Sequence, residues 1–338
     1  MIPKKETKME KKNYLILGSS GGLGCSIVKT LEEKKLSYVG TYRNQFQRLI
    51  SEVPNAENNI TRIDCCNPLN NTTLDNYEFK YAISTVALSD VDKAYKEPLI
   101  SFKNNVIANT NIFLYCASRK IPFYFISTND IFSGQKNTEI HEVHIGPVIP
   151  WSIEDLPVPQ GVYASHKRAA EEQLLSLSAY TNVPLTIVRL SLISFFSSGA
   201  NSTFIKNVLD AMKLGNTISA LTDQHVAPTF VGTVAKTLIS IAESGENPKF
   251  LHIAPTSWLS RYQFVQHVEQ TVNKIKPEYI HPGFKIVPCV LEDLYSKGIL
   301  TEKRPQYAVL EAFPGGLVGT LEEEIEKALV WYFKKNIV

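Results

Sequence analysis

The stretch that most restricts the fold is Asn13–Gly24, NYLILGSSGGLG. A short apolar run, Tyr14–Leu17, meets glycines at Gly18, Gly21 and Gly24. Leu23, Ile27, Val28 and Leu31 then recur at helical spacing, and Glu32–Lys35 close the segment in polar residues. The order is strand, tight turn, helix. Gly18 allows the turn, Gly21 lets backbone approach a pyrophosphate, and Gly24 lets the helix pack close to the strand. The free N–H groups at this helix start, with Ser20, Gly22 and Leu23 in the same loop, then hold phosphates with the helix dipole behind them. A glycine triplet by itself also fits a plain turn. Its place at the first strand of an alternating pattern gives it weight.

That pattern continues through Ser37–Thr41, Asn59–Asp64, Tyr81–Ala87, Phe123–Ser127 and Leu185–Leu190 as strands, with helical patterns between them, Asn105–Ser118 included. Such spacing predicts βαβ units with right-handed crossovers. The expected fold class is α/β: a Rossmann-type doubly wound parallel sheet, with a smaller α/β substrate-binding lobe near the C-terminus. Residues 1–12 read as a polar, solvated tail. Residues 13–196 form the dinucleotide-binding domain, rejoined by about 222–248; residues 197–221 and 249–338 form the lobe. Capping boxes at Ser260–Gln263 and Thr320–Glu323 open two lobe helices. The long loop Gln135–Gly161, with four prolines, reads as a lid or binding loop.

The chain has 338 residues, 44% hydrophobic and 20% charged, which suits a soluble globular enzyme. A net charge of +2 gives no reason to invoke nucleic acid or a membrane surface, and no apolar run approaches a membrane span. Five cysteines form no CxxC and sit near no histidine pair, so no metal site is expected. Their odd number suits a reducing, cytoplasmic setting.

The second strand ends not in an acid but in Thr41-Tyr42-Arg43-Asn44. An acid there binds a ribose 2′-OH, whereas an arginine accommodates a 2′-phosphate. NADP(H) is therefore favoured, with NAD(H) left open. Tyr163-Ala164-Ser165-His166-Lys167 is a YxxxK, and residues four apart share a helix face. Lys167 is expected to favour the phenolate and lower the pKa of Tyr163, suiting it to pass a proton to or from a substrate oxygen. With 15 tyrosines the spacing is expected once by chance, so its position after the fifth strand carries the argument. Thr128 ends that strand and reads either as a hydroxyl for the reacting carbonyl or as a turn cap. Asp130 reads either as a second acid/base or as a loop-stabilising residue.

The glycine turn, Thr128, Tyr163 and Lys167 resemble the extended short-chain dehydrogenase/reductase superfamily. More narrowly, the chain resembles the dTDP-4-dehydrorhamnose reductase family. Ser89–Ala94 is similar to that family's TxVDKA, Ser127–Gly134 to STDYVFDG, Asp223–Thr229 to DQxGxPT, and Arg304-Pro305 to its late RP. The resemblance implies NADPH-dependent reduction of the C4 carbonyl of a nucleotide-activated 4-keto-6-deoxy sugar. It implies Tyr163 as proton donor, Lys167 as its tuner and ribose ligand, and Thr128 as oxygen holder. Asp64 would lie near the adenine, with Ala87 and Asn105 along the cofactor path. Asn129, Asp130, Arg189, Gln224 and Arg304 would face the substrate. Departures cluster on the substrate side. Asn129-Asp130 replaces Asp-Tyr, Leu192 stands where tryptophan is usual, Ala164 replaces glycine, and Phe132–Tyr163 is longer than usual. A nucleotide-sugar epimerase or dehydratase with tightly bound NAD therefore remains an alternative, as does a non-catalytic regulatory subunit. A homodimer stays open.

Overall fold

The structure is a computed structural model, and it describes residues 9–70, 72–133, 148–191, 204–314 and 317–335. Most of the expected tail, the expected lid from Gln135 to Pro147 and Leu192 lie outside these residues.

β1 (Glu10–Leu17), β2 (Tyr38–Tyr42), β3 (Ile60–Arg62), β4 (Tyr77–Ser84), β5 (Phe123–Thr128), β6 (Leu185–Leu190) and β9 (Phe250–Ile253) form one sheet in the order β3-β2-β1-β4-β5-β6-β9. Every pairing in it is parallel. Parallel strands are covered on both faces, so successive residues serve opposite cores. Tyr14 and Ile16 join one core, with α1 (Gly22–Glu33) and α8 (Val231–Ser244). Leu15 and Leu17 join the other, with α5 (Ala108–Ser118) and α6 (Val162–Thr181). The order reverses between β1 and β4, and ligands in such sheets sit beyond the carboxyl ends at that point.

α2 (Phe46–Glu52) lies between β2 and β3; α3 (Val91–Lys96) and α4 (Pro98–Phe102) follow β4. A π turn, Lys103–Ile107, joins α4 to α5. Outside the large sheet, β7 (Thr217–Leu221) pairs in parallel with β11 (Lys285–Cys289), and β8 (His225–Val226) pairs antiparallel with β10 (Leu259–Ser260). With α7 (Phe204–Leu214), α9 (Arg261–Ile275), α10 (Leu291–Ser296) and α11 (Leu321–Lys335), these make the smaller lobe. Its core joins Met212, Phe264, Val268 and Leu329. Both capping boxes form: Gln263 N donates to Ser260 Oγ at 3.1 Å and Glu323 N to Thr320 Oγ1 at 3.2 Å, each answered by the reciprocal bond.

Two boundaries differ from the sequence reading. Glu10–Lys12 is strand, paired with Tyr77–Phe79, because β4 starts four residues earlier than its apolar run. Lys12 is anchored there by Glu10 at 2.8 Å and by the Tyr77 ring. The return to the sheet runs through β9, to Ile253, rather than stopping near 248. Four residues interrupted by His252 give too short an apolar signal, yet His252 is buried against the edge of the Phe132 ring.

Candidate active site

The loop after β1 is held by hydrogen bonds from both neighbouring strands. Gly18 N donates to Thr41 Oγ1 at 3.2 Å and Ser19 N to the Thr41 carbonyl at 2.8 Å. Thr85 Oγ1 donates to the Leu17 and Gly18 carbonyls at 3.0 and 3.1 Å. Gly18 has φ +80°, a conformation open to glycine. A Cβ on Gly24 would lie 2.3 Å from the Gly18 carbonyl oxygen, so the helix seats directly on the turn. No acid occupies the first turn of α1 and no side chain caps it. Its leading N–H groups are thus left for an anion.

Beside this loop lies a cavity of about 260 Å³ whose walls include Gly18, Ser20, Gly21, Arg43, Asp64 and Ala87. Arg43 is half-exposed there, its Nη1 2.9 Å from Asn104 Oδ1 and 3.8 Å from Asp64 Oδ1. Gly22, Leu23 and Gly24 lie just behind, in the first turn of α1. The sequence reading missed Asn104 and Arg62; Arg62 Nε donates to the Arg43 carbonyl at 3.1 Å. Both follow from the fold, not from a motif. The π turn buries Asn104 and Asn105 together, and wide turns of this kind recur at functional sites. Asn105 brackets Leu88, accepting from its N–H at 2.9 Å and donating to its carbonyl at 3.1 Å. It shapes the strand exit that carries Ala87.

Where β5 ends, Thr128 Oγ1 accepts from Asp130 N at 3.1 Å and so caps the following turn. The same hydroxyl acts to lower the pKa of the Tyr163 phenol, against the other influences on that group. Burial, and next the charge of Asp130, push the Tyr163 pKa above the ordinary tyrosine range. The expected lowering by Lys167 is absent. Lys167 Nζ donates to the Ile126 carbonyl at 2.6 Å and lies 4.0 Å from the Phe125 ring centroid, and burial pulls its pKa down to about 7. A lysine buried in apolar surroundings loses hydration faster than Glu171, one helical turn on, restores it.

The start of α6 is also set from the lobe. Gly161, φ +86°, turns the chain into α6, and Glu302 Oε2 accepts from Val162 N at 3.2 Å. A carboxylate at a helix start is electrostatically favoured. Glu302 in turn follows Thr301, and both backbone N–H groups reach Asp92.

Among the expected substrate residues, Arg304 pairs with Asp92 at 2.6 Å, and burial raises the pKa of Asp130 against the charges of Arg304 and Arg261. Asn129, Arg189 and Gln224 spend their polar groups inside the protein. Asn129 Nδ2 donates to the Ala308 carbonyl at 2.6 Å, and Gln224 Nε2 to the Pro305 carbonyl at 2.9 Å. Arg189 is fully buried, its Nε and Nη2 on Glu171 at 3.2 and 3.0 Å, between the rings of Phe132 and Phe250. Among the described residues no group of three acids, histidines or cysteines could hold a metal ion, and no helix is long and apolar enough to cross a membrane.

A family model described as the RmlD substrate binding domain matches residues 12–314. A protein of Haloferax volcanii described as a "probable low-salt glycan biosynthesis reductase Agl14" is 25% identical over 261 residues, 76% of this chain and 79% of that one. The dTDP-4-dehydrorhamnose reductase of Mycolicibacterium smegmatis is 25% identical over 202 residues, 59% of this chain and 56% of its own length. The crystal structure of dTDP-4-dehydrorhamnose reductase from Bacillus anthracis in complex with NADP superposes with a TM-score of 0.72, at 18% identity, covering 95% of this chain and 99% of that one. This last likeness is one of fold.

Proposed function

The chain belongs to the RmlD substrate binding domain family, and from that premise we propose that it is an NADPH-dependent reductase of a nucleotide-activated 4-keto-6-deoxy sugar. The observation that carries the reading is that α6, which bears Tyr163 and Lys167 four residues apart, is tied to β5 by Lys167 Nζ on the Ile126 carbonyl, two residues before Thr128 ends that strand, in a chain whose first loop lines a cavity with glycine. The relatives named as reductases, and the NADP named with the Bacillus anthracis enzyme, support it.

The residues present fit the cofactor. Gly18 and Gly21 open the space a pyrophosphate needs, the uncapped first turn of α1 faces it, and Arg43 supplies the cation for a 2′-phosphate. Asp64 and Ala87 would flank the adenine and the path toward the nicotinamide. When bound, NADPH supplies the hydride. The chain supplies the rest. Thr128 orients the substrate oxygen, and Tyr163 gives it a proton. A phenol kept protonated by burial and by the neighbouring Asp130 is the form a donor needs. Lys167, tethered to the Ile126 carbonyl, holds the helix face of Tyr163 against β5 and would meet the nicotinamide ribose. The reading includes a cytoplasmic setting, supported by five free thiols, and leaves a homodimer to be tested.

The test is NADPH oxidation against a panel of dTDP-, CDP-, GDP- and UDP-4-keto sugars. Turnover with at least one is expected; none with any would remove the reading. One observation favours the epimerase or dehydratase alternative: Asp130 stands beside Tyr163 as a second acid. Cofactor that survives dialysis of the purified protein would support that alternative.

A further inference from the structure

The helix that bears Tyr163 begins without a cap of its own. Gly161 precedes it at φ +86° and has no side chain to offer, and the first turn holds no acid. Ser165 N donates to the Gly161 carbonyl at 3.1 Å, which leaves the N–H groups of Val162, Tyr163 and Ala164 without a partner inside the helix. The first of these is answered by Glu302, 140 residues on, whose Oε2 accepts from Val162 N at 3.2 Å. Glu302 is only 5% exposed, and a carboxylate leaves water at a cost that hydrogen bonds must offset. A Cβ on Gly161 would lie 2.3 Å from Glu302 Oε1. The serine or aspartate that usually caps a helix from this position is therefore excluded by the very group that replaces it.

Glu302 is held in turn. Its N–H and that of Thr301 donate to Asp92 Oδ1 at 3.4 and 3.5 Å, and Thr301 Oγ1 donates to the same oxygen at 3.0 Å. Arg304 Nη2 donates to Asp92 Oδ2 at 2.6 Å. Asp92 stands in the first turn of α3, so these bonds fasten the segment to the large domain. Further along, the Ala308 carbonyl accepts from Asn129 Nδ2 at 2.6 Å. Toward the lobe, the Pro305 carbonyl accepts from Gln224 Nε2 at 2.9 Å and the Gln306 carbonyl from His225 N at 2.8 Å. Thr128 and Tyr163 come from different elements. The segment 301–308 is bonded to the start of the helix that carries one and to the residue that follows the other.

We propose that Glu302 is a positioning residue for the proton donor, a helix cap lent by the lobe that fixes the first turn of α6 and with it the placement of Tyr163. The inference rests on the reductase reading for the chemistry that Tyr163 performs. Tyr163 is the residue after Val162, inside the one turn that Glu302 caps. Lys167 lies a turn further on, and the Ile126 carbonyl anchors it independently at 2.6 Å. Loss of the cap thus frees Tyr163 while Lys167 and the first loop stay in place. The donor is set only when the segment from the lobe is docked on Asp92.

The test uses the full chain. Glu302→Ala is expected to lower kcat for NADPH oxidation with a keto sugar by about 10–100-fold, to leave NADPH affinity unchanged, and to raise the solvent deuterium isotope effect on kcat as proton transfer slows. Glu302→Gln keeps an oxygen for Val162 N and is expected to recover most of the loss. Amide hydrogen exchange reads the same turn without turnover: the N–H groups of Val162, Tyr163 and Ala164 should exchange about 10-fold faster in Glu302→Ala, with those after Lys167 unchanged. Asp92→Asn, which loosens the segment one step back, is expected to show the same pattern at smaller size, and it decides the matter if Glu302→Ala does not fold. Wild-type kcat in Glu302→Ala would overturn the proposal. So would an equal loss in Glu302→Gln, or a fall in NADPH affinity that matches the fall in kcat and so marks a general loosening. Wild-type protein that turns over no keto sugar would remove the reductase reading, while the exchange pattern would still decide whether Glu302 sets the turn that bears Tyr163.

Discussion

Around the first loop, Gly18 and Gly21 offer a ligand backbone groups, with Arg43 and Asp64 as the charged exceptions. On the lobe side, Asp130, Arg261 and Arg304 bring three charges that act on one another from the turn after β5, the start of α9 and the segment before Pro305. One side is shaped by where the chain itself can go. The other is shaped by which side chains distant segments deliver. Tyr163 belongs with the second side, where the charge of Asp130 reaches it.

Tyr163→Phe separates them most sharply. Losing the proton donor should cut kcat by about 10²–10⁴-fold, with NADPH affinity unchanged by fluorescence titration. Near-wild-type turnover would show that the proton comes from elsewhere, with Asp130 the first group to examine.

The end of β5, from which that half's Asp130 follows, is braced by the buried Glu171–Arg189 pair of α6 and the neighbouring β6. Arg189→Met leaves Glu171 with only the partly exposed Arg168 and should lower unfolding free energy by about 3–5 kcal/mol in urea. Glu171→Met in the same chain should restore most of it. A loss below about 1 kcal/mol in the single variant would show that this ion pair is not a support for that half.

Arg43 probes the exception on the backbone-built side. Arg43→Ala should weaken NADPH by about 1.5–3 kcal/mol and NADH far less. Equal losses would make Arg43 a structural partner of Asn104 alone.

A further effect is a pH dependence. Lys167 ordinarily stays protonated up to about 10.5, but in the folded protein only up to about 7. Between those values the unfolded chain binds more protons, so this residue's contribution to stability grows as pH rises through the window. Lys167→Met should flatten that slope in thermal melts from pH 7 to 10. An unchanged slope would mean that Lys167 keeps its proton in the folded chain.

The same contrast explains what the sequence made legible. A turn that needs φ +80° at Gly18, and a helix start where a Cβ on Gly24 would lie 2.3 Å from the Gly18 oxygen, leave glycine little competition, so these positions announce themselves. Tyr163 and Lys167 are legible because they lie on one helix. Arg261 and Glu302 are not. Asp92 and Arg304 stand 212 residues apart, and Val162 and Glu302 are separated by 140. Nothing local marks an arginine after a serine cap, or a glutamate in a polar loop, as part of a site. β9 was hidden for a related reason: four residues containing a histidine carry too little periodicity, and its burial comes from Phe132 and β6. The Tyr163 environment was misjudged because helix spacing places Lys167 on the right face but not the end of its side chain, which the Ile126 carbonyl takes.

The reductase reading is tested most directly by isotope transfer. NADPH deuterated at C4 of the nicotinamide should deliver one deuterium to the reduced carbon of the sugar, with the oxygen's proton drawn from solvent. Product without that label, or with solvent deuterium fixed on a neighbouring carbon instead, would contradict reduction at this site.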